Sequence, residues 1–328
     1  MIYPPFIQKK DTIGICAPSA GSGNDIASHD ASVKVLTQLG YRIKETASVR
    51  VNGLRSSTAE IRAEELLSLF KDPDVSSVLC ASGGDFLFEI LPYVDFKTIK
   101  KKPKWLSGMS DPTGILFPLT VKYDVASLYG INLHSFYPAK AVPAYVQNFL
   151  NIEEGKNVIQ HSSSSYSGSE NLIKGVLRFN KRTAWKSTVG NTVIEGRCIG
   201  GCIDVLKDLI GTEYDAVHSF TKKYSKDGIV WFFDNYALSA EVFYRTLLQM
   251  RYAGWFENCT GVLIGRVLFS SSETGMTYKD AILKALPDMP VLYDADIGHT
   301  FPAMTMIAGS IVKAKYHNGH ADISFVLR

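Results

Sequence analysis

The feature that most limits what this chain can fold into is an alternation. Over the first 135 residues, short apolar runs with strand character alternate with helical runs. Asp11-Thr12-Ile13-Gly14-Ile15-Cys16-Ala17-Pro18 reads as a first strand, stopped by proline. Residues 30–39 read as a helix closed by Gly40, and Tyr41 to Ala47 as a second strand. Ser57-Thr58-Ala59-Glu60 has the form of a capping box, a serine with a glutamate three residues on. It opens a helix whose Ala59, Ala63, Leu66, Leu67 and Phe70 share one face, stopped by Asp72-Pro73-Asp74. Val75 to Ala81, Trp105 to Gly108 and Ala126 to Ile131 are the third, fourth and fifth strands. Strands this short and this apolar, separated by helices, predict a parallel sheet covered on both faces.

After residue 135 the pattern changes. Tyr, Pro, Asn and Ser dominate, and His161-Ser162-Ser163-Ser164-Ser165-Tyr166-Ser167-Gly168-Ser169 is rich in turn formers. Residues 136–191 read as a linker plus a mobile loop segment. From Thr192 the alternation returns. A strand over Val193–Ile199 meets the turn Gly200-Gly201, then come a helix over 203–210, a strong strand from Gly228 to Phe233 and a helix from Ser239 to Ala253. Strands follow at Gly261–Val267 and Val291–Tyr293, and a hairpin around Asn318-Gly319. The expected organisation is an N-terminal α/β domain over 1–135 and a C-terminal α/β domain over 192–328, with a long join between them.

Composition narrows the function. A length of 328 residues accommodates two cores, and 46% apolar with 20% charged residues is globular rather than disordered. The net charge of +3 comes without a basic stripe, which argues against a nucleic-acid partner. The nearest candidate, Lys100-Lys101-Lys102-Pro103-Lys104, reads as a solvated turn. No apolar run reaches membrane-spanning length, and MIYPPFIQKK contains no signal-peptide core. The cysteines at 16, 80, 198, 202 and 259 are odd in number and scattered, so neither disulfides nor zinc are expected, and the cytoplasm is the natural compartment. No cofactor is called for. Gly21-Ser22-Gly23 lacks the third glycine of a dinucleotide loop, since Ile26 holds that place.

In open α/β sheets, chemistry gathers where strands end at their carboxyl side. Four such ends carry reactive residues: Ser82-Gly83-Gly84-Asp85, Gly108-Met109-Ser110-Asp111, Asp234-Asn235, and Asp294-Ala295-Asp296-Ile297-Gly298-His299-Thr300. A serine needs a base to take its proton, an acid to orient that base, and N–H donors where the oxyanion forms. The residue after the serine, Asp111, can supply one N–H from a sharp strand-to-helix turn, and Gly84 on the neighbouring strand can supply the other. Pro112 stands where the α/β-hydrolase elbow has its second glycine, which disfavours that fold.

Taken together, these pieces resemble the LD-carboxypeptidases of serine peptidase family S66, which includes the microcin C immunity peptidases. The resemblance runs through Ile13-Gly14-Ile15-Cys16-Ala17-Pro18-Ser19, Ser82-Gly83-Gly84, Leu91-Pro92-Tyr93-Val94-Asp95, Gly108-Met109-Ser110-Asp111 and Gly200-Gly201. It continues through Leu209-Ile210-Gly211-Thr212, Phe232-Phe233-Asp234-Asn235, Arg245-Thr246-Leu247-Leu248 and Gly298-His299-Thr300. It implies a flavodoxin-like N-terminal layer, a C-terminal α/β domain built around a β-sheet, a site in the cleft between domains, and often a homodimer. It also implies a triad in which Ser110 is the nucleophile, His299 the base and Asp234 the acid, with Gly84 and Asp111 as oxyanion donors. The partner implied is a small peptide or aminoacyl substrate. The chain departs from the family pattern at Asp234 for the usual Glu, Ser82 for Arg, Met109 for Tyr and Cys202 for Asn, changes that bear on substrate choice. Trp185 matches, by region, an aromatic that holds substrate in the microcin-immunity branch.

Each residue also has a plainer reading. Ser110 could be a helix N-cap, with Pro112 in the first turn. Asp234 could end a strand, Glu241 should face solvent on the next helix, and Trp185 could be a packed aromatic. His29, His134, His161, His218, His317 and His320 are given no role.

Overall fold

The structure is a computed structural model that describes residues 1–136, 143–174 and 176–328. Residues 137–142 and 175 of the expected linker lie outside the described residues. The chain divides into two compact units, Met1–Val158 and Ile159–Arg328.

The first unit carries β1 (Thr12–Cys16), α1 (Ile26–Gln38), β2 (Arg42–Glu45), α2 (Ala59–Lys71), β3 (Val75–Cys80), α3 (Phe96–Lys101), β4 (Trp105–Gly108), α4 (Thr113–Val121), β5 (Ser127–Tyr129) and α5 (Ala144–Glu153). Its strands lie in the order β2-β1-β3-β4-β5, every neighbouring pair parallel. That is the flavodoxin-like order, in which the connection reverses direction between β1 and β3 and leaves a crevice at the strands' carboxyl ends. β1 is buried at every position, and α4 is buried all round, as a helix packed in the middle of a layer must be.

Several local expectations shift. The α2 cap is Thr58, whose Oγ1 accepts from the Ile61 N–H at 3.4 Å, so the capping residue lies one position beyond Ser57. Lys100 and Lys101 end α3, and Lys104 closes the end of α2 by donating to the carbonyls of Leu69 and Asp72. The first unit also continues past residue 135. α5 buries Tyr145, Val146, Phe149, Leu150 and Ile152, and the Glu153 carbonyl accepts from the Ile7 N–H at 3.0 Å.

The second unit takes up the rest of the expected linker: β6 (Gln160–His161), β7 (Ser165–Tyr166), α6 (Ser169–Leu172), β8 (Lys181–Arg182) and β9 (Lys186–Ser187). β10 (Thr192–Cys202), α7 (Ile203–Leu209), α8 (Val217–Lys223), β11 (Ile229–Asp234), α9 (Ala240–Tyr252), β12 (Cys259–Gly265), α10 (Tyr278–Ala285), β13 (Val291–Ala295), β14 (Met306–Ala308), β15 (Ile311–His317) and β16 (His320–Val326) follow. Eight strands form one mixed sheet, β6-β16-β15-β10-β11-β12-β13-β9. β10 to β13 are parallel, and antiparallel strands flank them on both sides. β15 and β16 form the expected hairpin, closed by His317 opposite His320, with Asn318 and Gly319 both at positive φ as a tight two-residue turn requires.

Gly200 and Gly201 are not a turn. They lie inside β10, where a Cβ on Gly200 would come within 1.9 Å of the Phe232 carbonyl oxygen. Glycine here lets two strand backbones meet.

Candidate active site

In the first unit the chain leaves β4 at Gly108 and enters α4 at Thr113. Between them Ser110 sits at φ +74°, in the left-handed region that costs a non-glycine residue about 1–3 kcal/mol. Every other residue from Trp105 to Val121 is buried, whereas Ser110 is partly exposed. The plain capping role does not describe it: Pro112 is the residue at the N-cap, with no side-chain cap, and Ser110 contributes its carbonyl to the Thr113 N–H. The turn is held by its neighbours. The Ser110 N–H donates to the Tyr129 hydroxyl at 3.2 Å, and Asn132 accepts from the Met109 N–H while donating to the Met109 carbonyl.

The Gly83-Gly84 loop after β3 runs against this serine. A Cβ on Gly83 would stand 3.0 Å from the Ser110 Cβ and 3.3 Å from its Oγ. Neither the Gly84 nor the Asp111 N–H has an acceptor among the described residues. The Asp111 side chain does structural work: its carboxylate accepts from the Ser19 hydroxyl and from the Leu87 N–H. Burial pushes this carboxyl up, only partly offset by those two donors. Ser19 thus joins the loop after β1 to the serine turn. Ser82 is partly exposed, and Met109 is buried.

In the second unit Asp234 closes β11 and is fully buried. His299 lies in the loop after β13. Its Nδ1 stands 2.8 Å from Asp234 Oδ2, an ion-pair contact that approaches off the axis of the ring N–H, and its backbone N–H donates to Asp234 Oδ1 at 3.3 Å. Burial alone would lower the imidazole pKa. The Asp234 carboxylate, with a smaller contribution from Asp204, outweighs it and holds His299 above its ordinary value. The Tyr236 ring lies against the imidazole at 4.7 Å between centroids, tilted by 51°.

The His299 loop has its own anchor. Arg266 donates from Nε to Thr300 Oγ1 at 3.1 Å and pairs with Asp296. Trp185 belongs to this anchor. It is 1% exposed, and its indole N–H donates to Asp296 Oδ2 at 2.8 Å, so the ring is packed in the unit. Glu241 stands in the first turn of α9, the expected helix, and its carboxylate accepts from Ser272, Glu273 and Thr274, which staples that loop to the helix.

The structure therefore gathers Gly83, Gly84, Ser110 and Asp111 in one unit and Asp234 with His299 in the other. Sequence reasoning missed Ser19, Tyr129, Asn132, Asp204 and Tyr236. Only Ser19 lay in a quoted motif, and the others act through contacts between strands that no spacing announces. Among the described residues no group of three metal-ligating side chains occurs, and no helix is long and apolar enough to cross a membrane.

Comparison with known proteins agrees with this architecture. Residues 13–130 match the LD-carboxypeptidase N-terminal domain and residues 195–313 the LD-carboxypeptidase C-terminal domain. The chain is 27% identical to YocD of Bacillus subtilis over 330 residues, 98% of each chain. It is 24% identical to the microcin C7 self-immunity protein MccF of Escherichia coli, covering 96% of this chain and 93% of that one. Among solved structures, an MccF-like protein from Bacillus anthracis superposes with a TM-score of 0.85 at 24% identity over 100% of both chains. A muramoyltetrapeptide carboxypeptidase from Oxalobacter formigenes superposes at 0.76 and 19%, over 96% of this chain and 98% of that one. With both domains matched in order, the chain belongs to the LD-carboxypeptidase family, peptidase family S66.

Proposed function

We propose that the protein is a serine peptidase that hydrolyses the amide between an L- and a D-amino acid, of the murein tetrapeptide type. Ser110 attacks the carbonyl on the L-residue side. His299 takes the hydroxyl proton and passes it to the leaving amine, while Asp234 orients the imidazole and stabilises its charged form. The N–H groups of Gly84 and Asp111 receive the oxyanion. Water then hydrolyses the acyl-enzyme, with His299 acting as base again.

The observation that carries this reading is Ser110 itself. A serine held at φ +74° as the partly exposed point of an otherwise buried strand–turn–helix is costly as structure and useful as a nucleophile. The Asp234–His299 contact supports the other half of the proton path.

A second reading favours an aminoacyl-nucleotide amide as substrate. MccF, to which the chain is similar along nearly its whole length, has been solved with glutamyl sulfamoyl guanosine and with aspartyl sulfamoyl adenosine. The deciding experiment incubates the pure protein with an L,D-tetrapeptide and with an aminoacyl sulfamoyl adenosine, followed by mass spectrometry. Release of D-alanine by wild type but not by Ser110→Ala is the expected result. Cleavage of the nucleotide conjugate alone replaces the first reading with the second. Tight binding without turnover of either would leave a binding protein in place of an enzyme.

A further inference from the structure

Asp204 stands in the first turn of α7, where an acidic residue needs no special explanation. Its contacts are more specific than that. Oδ2 accepts from the Tyr236 N–H at 3.0 Å and Oδ1 from the Ala237 N–H at 3.1 Å, so both oxygens are spent on two successive amides of the turn that follows Asp234-Asn235. The Cys202 thiol donates to Oδ2 from the end of β10, at the position paired in register with Asp234. The turn so held carries Tyr236, whose ring lies against the His299 imidazole on one side and meets Phe269 edge-on at 5.2 Å on the other.

We propose that Asp204 is a positioning residue for His299: its carboxylate ties down the backbone of Tyr236 and Ala237, and through that turn fixes the aromatic ring that packs on the base. The inference rests on the reading of His299 as the general base.

Two consequences follow from the arrangement. The Tyr236 ring limits how far the imidazole can swing from Asp234. The Asp204 charge also adds to that of Asp234 and favours the imidazolium that forms when Ser110 is deprotonated. Asp234 from β11 and Tyr236 from the turn after it touch His299, the charge of Asp204 on α7 reaches the imidazole, and Cys202 from β10 donates to Asp204. Arg266, just past β12, holds the adjacent Thr300 and is paired with Asp296. Burial raises the Asp204 carboxyl, with the nearby Asp234 charge adding to it.

The test compares wild type with Asp204→Asn and Asp204→Ser by NMR titration of the His299 ring and by kcat and KM across pH. Loss of the charge should lower the His299 titration. The acidic limb of kcat/KM should follow it, and kcat should fall about tenfold with KM little changed, the size typical of a supporting residue. Tyr236→Leu should lower kcat without removing the charge. An unmoved titration and kcat in a folded Asp204 variant overturns the proposal. Failure of both Asp204 variants to fold overturns it too, since the residue would then serve stability. If wild type hydrolyses nothing, the peptidase reading falls, while the titration still decides the role of Asp204.

Discussion

The Asp234 carboxylate meets His299 twice, Oδ2 at the ring Nδ1 and Oδ1 at the backbone N–H. An aspartate is one methylene shorter than the glutamate usual at this place in the family, yet here the histidine loop comes to the carboxylate. The double contact fixes both the ring and the loop that carries it, which is the task of an orienting acid.

His299 is held above the ordinary value of about 6.5, and a general base works only in its neutral form. The acidic limb of kcat/KM should therefore lie above that value, with activity rising as pH increases through it. Asp234→Asn removes the dominant favourable charge, so the histidine pKa should drop and kcat should fall on the order of 10³–10⁴-fold. A pH–rate profile of both proteins checks this. For stability the sign is opposite to that for activity: the ion pair contributes fully below the unfolded histidine's pKa and is lost as pH rises through the raised folded value.

Gly298 makes the double contact possible. It sits at φ +90°, and a Cβ there would fall 1.8 Å from Asp234 Oδ1. Gly298→Ala has no compatible geometry, so the loop must move away from the acid. The expected result is a loss of hydrolysis comparable to Asp234→Asn, with a stability cost of about 1–3 kcal/mol from the strained backbone. Activity and urea denaturation measured side by side decide it, and near-wild-type turnover would refute the argument.

Trp185 tests a different kind of claim. Its indole N–H is buried against Asp296, which already accepts from the Ser163 N–H on the same oxygen. Trp185→Phe keeps most of the apolar ring and removes the donor, at a cost of about 1–3 kcal/mol. KM should stay nearly constant. A large rise in KM with unchanged stability would return the residue to the substrate.

These residues also show how far a sequence can be followed. The parallel sheet of β1 to β5 was legible because five apolar runs alternate with helices, its flavodoxin-like order only through the family resemblance, and Ser110, Asp234 and His299 stood out because each follows such a run. Gly200-Gly201 misled because a glycine pair is the strongest local turn signal, while its use here is a close approach to β11. α5 was missed although Tyr145, Val146, Phe149 and Leu150 keep helical spacing, since proline, serine and asparagine dominate around it. Asp204 and Tyr236 were illegible for a deeper reason. They lie on different elements and meet only when β10 and β11 pair, so no window of sequence contains both.

The last prediction concerns Glu153, on the inner face of α5. It is 1% exposed, with Ser107 Oγ donating to one oxygen at 3.3 Å and no well-formed hydrogen bond to the other among the described residues. Burial raises its pKa to about 8. In the unfolded chain a glutamate titrates near 4.3, so between roughly pH 4.5 and 8 the folded protein keeps a proton that the unfolded chain releases. Stability from this group is fully present below that window and is lost as pH rises through it. Glu153→Gln keeps the shape and cannot ionise. The variant should match wild type near pH 4.5 and exceed it in Tm by a margin that grows up to about pH 8 and then levels off. Melting curves collected from pH 4.5 to 9 supply the check, and parallel curves for the two proteins would mean that the carboxyl ionises as freely inside the fold as outside it.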